Sequence, residues 1–336
     1  MSTATVFGTT AAGAPVHRYS IGAGAIEASL LSRGAVLHDV RLSGVPFSVT
    51  LGYDTLAPYE DKMGSCGAIV GPVANRIAGA AAMIDGVLHR FDAGGPGPIL
   101  HGGAAALHNH IWDLVDHGAD HLTLRVLLPH GEGGFPGNRT IDARFEVLAP
   151  ATLRLTIDAM SDRVTILNLA NHSYWRLSDA PTLAGHSLQI AADHYLPVDG
   201  DLIPTGAVAP VADTRFDYRR ARPLDAGAEG LLDTNFCLSD ARMDLRAVAW
   251  LRAPTGLNLE VATTEPGLQI FDGHILGRID APDTDGRRAV AYAALAMEPQ
   301  FWPDAPNHAA FPSIDLPAET PWQQITEWRF SGLPGA

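Results

Sequence analysis

Glu298 closes the apolar stretch 289–297 and opens the run Glu298-Pro299-Gln300-Phe301-Trp302-Pro303-Asp304-Ala305. A carboxylate at the end of an apolar strand is costly to bury without partners, so its presence there points to function. His172 stands in Asn168-Leu169-Ala170-Asn171-His172-Ser173-Tyr174-Trp175, after an expected strand and among hydrogen-bonding and aromatic side chains. Histidine is the side chain best suited to trade a proton near neutral pH. A satisfied core histidine reads equally well from these residues alone.

Three further clusters carry polar groups. In Val73-Ala74-Asn75-Arg76-Ile77-Ala78-Gly79 a guanidinium is enclosed by small apolar residues. It serves either to tie loops together through backbone carbonyls or to hold a ligand. Leu100-His101-Gly102-Gly103 sets two glycines after a histidine, which lets another group approach closely. Asp233, in Leu232-Asp233-Thr234-Asn235-Phe236, either caps a turn or accepts hydrogen bonds from ligand hydroxyls. Phe301 and Trp302 offer an apolar wall for a ring, with core packing the simpler account of each.

These clusters need a scaffold, and the pattern of the chain supplies one of period two. Leu153, Leu155 and Ile157 alternate with Thr152, Arg154, Thr156 and Asp158, and residues 26–31 do the same. The segment 144–147 precedes the turn Ala149-Pro150-Ala151 and forms a hairpin with 152–158. Residues 122–128, 164–170, 187–191, 248–251, 257–261 and 325–330 read as further strands. One short helix is expected to start at Pro58-Tyr59-Glu60-Asp61-Lys62. The 34 glycines and 24 prolines are spread as punctuation between strands. The expectation is an all-β protein, a large mostly antiparallel sandwich, with residues 1–336 as a single domain.

Composition narrows the partners. Of 336 residues 46% are hydrophobic and 18% charged, enough for a large core. A formal net charge of −14 repels phosphate backbones and argues against nucleic acid. No apolar stretch reaches membrane-spanning length, and no basic-then-apolar leader opens the chain, so the cytoplasm is the expected location. Cys66 and Cys237 read as small buried hydrophobes. No P-loop, dinucleotide fingerprint or serine-hydrolase elbow occurs, and His108-Asn109-His110 lacks a third ligand at metal spacing and reads as a solvated loop. No cofactor and no metal are expected.

The order of eight short runs carries a resemblance. They are Asn75-Arg76-Ile77-Ala78-Gly79, Leu100-His101-Gly102-Gly103, Gly134-Phe135-Pro136-Gly137-Asn138, Asn171-His172-Ser173-Tyr174, Tyr195-Leu196-Pro197-Val198-Asp199 with Ile203-Pro204-Thr205-Gly206, Asp233-Thr234-Asn235-Phe236, Pro266-Gly267-Leu268-Gln269, and Glu298-Pro299-Gln300 with Pro303-Asp304-Ala305-Pro306-Asn307-His308. Along nearly its whole length the sequence resembles the galactose mutarotase (aldose 1-epimerase) family. The resemblance implies a β-sandwich with an open concave sugar site, and an isomerase that interconverts anomers of a free aldose without a cofactor. It implies Glu298 as general base and His172 as general acid. Arg76, His101 and Asp233 would hold sugar hydroxyls, with Asn75, Gln269 and Gln300 lining the site.

In a cleft open to water, Glu298 would give the acid limb of a bell-shaped pH profile and His172 the alkaline limb. Nearby negative charge would push that alkaline limb upward. The partner is a small sugar, and the assembly a monomer or homodimer. The chain departs from the family at Pro72, Pro98, Tyr174-Trp175-Arg176-Leu177 and Phe271-Asp272-Gly273-His274, where sugar hydroxyls would be read. Two alternatives share the fold: a hexose-6-phosphate 1-epimerase, with Arg176 as a candidate phosphate group, and a non-catalytic sugar-binding protein.

Overall fold

Strict alternation of buried and half-buried residues marks the strands Arg139–Leu148 and Thr152–Ser161. They pair antiparallel from Leu148↔Thr152 to Arg139↔Ser161 across the turn at Pro150. Leu153, Leu155 and Ile157 therefore face Val147, Phe145 and Ala143 on one buried side. The C-terminal strand Trp322–Ser331 returns to lie between Thr152–Ser161 and Asn258–Thr263, antiparallel to both. A nine-stranded antiparallel sheet results, running from Asp113–His117 at one edge to Arg222–Pro223 at the other. The computed structural model describes residues 4–334 except 62, 225–226 and 228–229.

A four-stranded sheet comprises Ala4–Thr9, Pro15–Ala23, Ile26–Leu31 and Val36–Leu42. A six-stranded sheet orders Tyr174–Trp175, Leu295–Gln300, Gly267–Phe271, Asp233–Cys237, His194–Tyr195 and Ala209–Pro210. One apolar core joins the three, with Leu30 and Val40 from the first, Phe145 and Trp328 from the large sheet, and Ile270 and Met297 from the third. The expected all-β, mostly antiparallel sandwich is what the chain forms.

The six-stranded sheet positions the chemistry, because its two faces differ. Phe236, Leu268, Ile270, Leu295 and Met297 point into the core. Side chains alternate along a strand, so Asn235, Gln269 and Glu298 project from the other face. Register places these three directly opposite one another, Asn235↔Gln269 and Gln269↔Glu298, as one polar row across three strands.

Several sequence expectations change. Residues 164–170 do not form one strand. Thr165–Ile166 pairs with Asp315–Leu316, while Ala170–Asn171 pairs with Ile69–Val70. Between them the buried Asn168 amide exchanges hydrogen bonds with both backbone groups of Phe301, holding the chain to the Glu298 strand in place of a ladder. The apolar stretch 289–297 is strand only from Leu295, since Tyr292 turns the chain at φ +63°. Glu298 thus sits inside its strand rather than at its end. The short helix is Ala57–Glu60, and Lys62 lies outside the described residues. Cys66 and Cys237 are free and buried.

Candidate active site

The strand Leu295–Gln300 carries Glu298 into a nearly enclosed position, with 2% of the residue exposed. His172 lies in the link between Ala170–Asn171 and Tyr174–Trp175, at 6% exposure. Its peptide is clamped on both sides, with its N–H donating to the Ala68 carbonyl and its own carbonyl accepting from the Gly67 N–H. The Asn171 amide donates to the Gly67 carbonyl and its oxygen accepts from the Ser173 N–H. Gly67 is at φ +70°, where a Cβ would stand 2.5 Å from the Leu37 carbonyl oxygen, so the clamp needs glycine. The result is His172 Nε2 at 3.6 Å from Glu298 Oε1, while Glu298 Oε2 has no hydrogen-bond partner in the protein.

His101 packs edge-on against His172, with ring centroids 5.4 Å apart. It is locked to Asn75 by two bonds: the His101 N–H donates to the Asn75 carbonyl, and the Asn75 N–H donates to His101 Nδ1. Accepting at Nδ1 fixes the neutral tautomer with its proton on Nε2, a ready donor to a ligand oxygen. Both residues hold positive φ, +50° and +60°, a backbone strain these bonds sustain. The glycines after His101 do admit a close neighbour, but it is the chain itself. A Cβ on Gly102 would meet the Gly71 carbonyl oxygen at 2.2 Å, and one on Gly103 the Asp92 carbonyl oxygen at 2.2 Å.

Arg76 pairs as backbone with Leu100, so its strand adjoins the one that His101 follows. Among the described residues its guanidinium makes no hydrogen bond or ion pair, which removes the loop-tying account of this side chain. Asp233, first residue of its strand, accepts from Gln269 Nε2 at 2.5 Å. A narrow crevice brings Asn75, Arg76, Asp233, Asn235 and Gln269 together. Gln300 follows Glu298 on the same face but is fully enclosed, opposite Gly267.

Phe301 and Trp302 do not form a ring wall. Trp302 is buried against Phe311 and donates to the Pro266 carbonyl, and Arg242 stacks on Phe301. His108 is half-buried rather than solvated, in a 3-10 turn whose Asn109 accepts from Arg33. Among the described residues no cluster of three metal-ligating side chains occurs.

Sequence reasoning missed Asn235, which completes the polar row, and Tyr174, whose ring lies 5.1 Å from that of His172. Both stand in quoted runs, yet only cross-strand register shows what they face.

Electrostatics reverse the expected pH assignment. Burial pushes Glu298 well above the usual carboxylate range, and the charge of Asp233 adds to this. Burial pushes His172 down to about 4. Both side chains are nearly enclosed, so desolvation outweighs neighbouring charge. Asp233 is raised by burial, against the pull of Arg76 and the Gln269 hydrogen bond. Burial holds His101 well below its ordinary value too.

A stability effect follows from these histidines. His172 and His108, both at about 4 when folded, stay neutral while the unfolded chain takes up protons near ~6.5. Their contribution is complete above the unfolded value and is lost as pH falls toward 4, on the order of 3 kcal/mol each. The melting temperature is expected to drop by roughly ten degrees between pH 6.5 and 4. A melting series in wild type and His108→Asn checks this. An equally steep fall in the variant would remove His108 from the account.

A sheet-borne carboxylate thus faces a clamped imidazole among further polar side chains, on a large antiparallel sandwich, an arrangement suited to acid–base chemistry. The family model for aldose 1-epimerase matches residues 17–329, and the chain belongs to that family. It is 32% identical to galactose mutarotase of Rattus norvegicus, over 98% of each chain. It is 31% identical to aldose 1-epimerase of Escherichia coli (strain K12), over 90% of this chain and 91% of that one. Among solved structures, an aldose epimerase homologue from C. elegans superposes with a TM-score of 0.84 at 29% identity, covering 93% of this chain and 98% of that one. The chain is an isomerase that interconverts the α and β anomers of a free aldose.

Proposed function

We propose that anomer exchange takes place at Glu298 and His172, with Arg76, His101, Asp233, Asn75 and Gln269 holding the sugar hydroxyls and the enclosed Gln300 packed beside Glu298 on the same face. The observation that carries this is Glu298 on the polar face of the six-stranded sheet, with Oε1 3.6 Å from His172 Nε2 and Oε2 without a hydrogen-bond partner in the protein. Glu298, ionised, takes the proton of the C1 hydroxyl while protonated His172 gives one to the ring oxygen. The C1–ring-oxygen bond breaks, leaving an aldehyde, a C5 hydroxyl, a protonated Glu298 and a neutral His172. Rotation about C1–C2 and return of both protons close the other anomer.

Burial favours the second of these two proton distributions. Both carry one proton on the pair, so they share one pH range. The resting pair is therefore mainly protonated Glu298 with neutral His172, and the ionised pair that opens the ring is the minor form of the same one-proton state.

Mammalian relatives are named for galactose. The substrate proposed here is a free aldose, galactose among the candidates, because the change at His274 lines the space beyond Asp233. Arg176 is no phosphate group. Its guanidinium is held by Asp283 and Asp285 at 2.6 and 2.7 Å, so a 6-phosphate substrate is not favoured. One core shared by three sheets supports a single domain over 1–336. Two free buried thiols fit a reducing, cytoplasmic setting, as a monomer or homodimer.

Polarimetry or proton NMR on a panel of pure anomers tests the proposal. Acceleration of none of them would end it. Arg76→Ala is expected to raise KM about tenfold or more with kcat nearly kept, since a guanidinium bound to hydroxyls serves ring and open chain alike. A fall in kcat at constant KM would give Arg76 another part.

A further inference from the structure

Arg76 belongs to a two-residue strand, Arg76–Ile77, whose ladder partner is only Ile99–Leu100. None of the three large sheets includes it. Pairing this short is a weak hold, so the backbone here needs other partners. The Arg76 N–H donates to Asn75 Oδ1 at 2.9 Å, and the Arg76 carbonyl accepts from the Asp304 N–H at 3.0 Å. Two residues on, the Ala78 N–H donates to Asp304 Oδ1 at 2.9 Å. Asp304 thus grips the segment twice, once with its backbone and once with its side chain.

The gripping residue is costly to keep. Asp304 is 2% exposed and sits at φ +57°, where glycine is the ordinary choice. A carboxylate buried there needs both oxygens engaged. Oδ1 also accepts from Asn307 Nδ2 at 2.7 Å, and Oδ2 lies 3.1 Å from His308 Nε2. Asn307 and His308 stand in and just after the 3-10 turn Ala305–Asn307. They orient the carboxylate from its own side, and Ala78 is the partner it reaches for across the contact.

Asp304 is also six positions beyond Glu298 on one continuous piece of chain. Asn168 ties the same two pieces together, accepting from the Phe301 N–H and donating its own N–H to the Pro72 carbonyl. The Arg76 guanidinium makes no hydrogen bond or ion pair among the described residues, so its aim depends on this backbone.

Building on the reading of Arg76 as a holder of sugar hydroxyls, we propose that Asp304 is a positioning residue for substrate binding: by holding the Ala78 N–H it sets the Arg76 guanidinium in place relative to Glu298.

The test deletes one hydrogen bond from either end. Asp304→Gly keeps the left-handed backbone and its N–H but loses the acceptor. Ala78→Pro loses the donor and leaves Asp304 in place. Ile77 is extended at φ −123° and Ala78 opens a 3-10 turn, both compatible with proline. For the aldose turned over fastest in the anomer panel, each variant is expected to raise KM about fivefold with kcat within about twofold. Neither should raise KM further when Arg76 is already alanine. Asp304→Asn, which keeps the oxygen, should restore KM to within about twofold of wild type. An unchanged KM, a fall in kcat, or a further rise on top of Arg76→Ala would overturn the positioning role and leave that of Arg76 standing. Wild-type KM in Arg76→Ala, or turnover of no sugar, would instead sink the reading beneath, and this inference with it. If neither single variant folds, the bond serves folding alone, which also ends the proposal.

Discussion

Glu298→Gln is expected to lower kcat by on the order of 10²–10⁴-fold while leaving sugar affinity within a few-fold. Glutamine keeps the shape and a hydrogen-bonding oxygen but accepts no proton from the C1 hydroxyl. The same change should raise the melting temperature above neutral pH. Glu298 titrates in the fold well above its ordinary value, so the stability it lends is present at low pH and lost as pH rises through that raised value. The amide has no such loss. Anomer exchange, sugar binding and melting measured on one preparation check all three parts. Retained turnover would remove Glu298 from the base role. A lower melting temperature at pH 9 would mean that the carboxylate has compensation not seen in its surroundings.

The pH profile of kcat/KM should be a bell whose limbs belong to the pair in an order opposite to that of unperturbed side chains. The active form holds one proton on the dyad. A second proton enters as pH falls to about 4, where His172 titrates, and gives the acid limb. Loss of the single proton, at the raised value of Glu298, gives the alkaline limb. His172→Asn should therefore remove the bell: the residual rate, which needs ionised Glu298, should rise with pH through the raised value of Glu298 and show no step near 4, and the imidazole resonances of the wild type should report a neutral ring at pH 6. A residual rate that is already level above the ordinary carboxylate range would restore the opposite order and show that neighbouring charge outweighs burial.

Much of the site could be read from the chain, because its residues sit in short local runs. Glu298, His172, His101, Arg76 and Asp233 stood out by type and neighbours, and the strands that hold them followed from period-two alternation. What stayed hidden depends on contacts between distant segments. Enclosure by the sheet and the 67–68 clamp sets the surroundings of the pair, so the upward shift expected for His172 gives way to a downward one. The partner of the glycines after His101 is a backbone carbonyl more than thirty residues back in one case, Gly71, and nearer in the other, Asp92. The break at Asn168 was invisible because its side chain replaces a ladder with Phe301, 133 residues away. Asn235 gained meaning only when register set it opposite Gln269.

The polar row has a bearing on how such a gene can change. Glu298 and Met297 are neighbours in sequence but belong to opposite faces of one strand. Loss or gain of a single codon within the stretch 295–300 would turn the sheet inside out at this strand, driving a carboxylate into the core and a methionine into the sugar cleft. Point substitutions can drift along the rim one at a time, but insertions and deletions in this strand admit no halfway state. Length variation among relatives should accordingly gather in the loops that bound the cleft, which leaves those loops as the place where new sugar preferences arise.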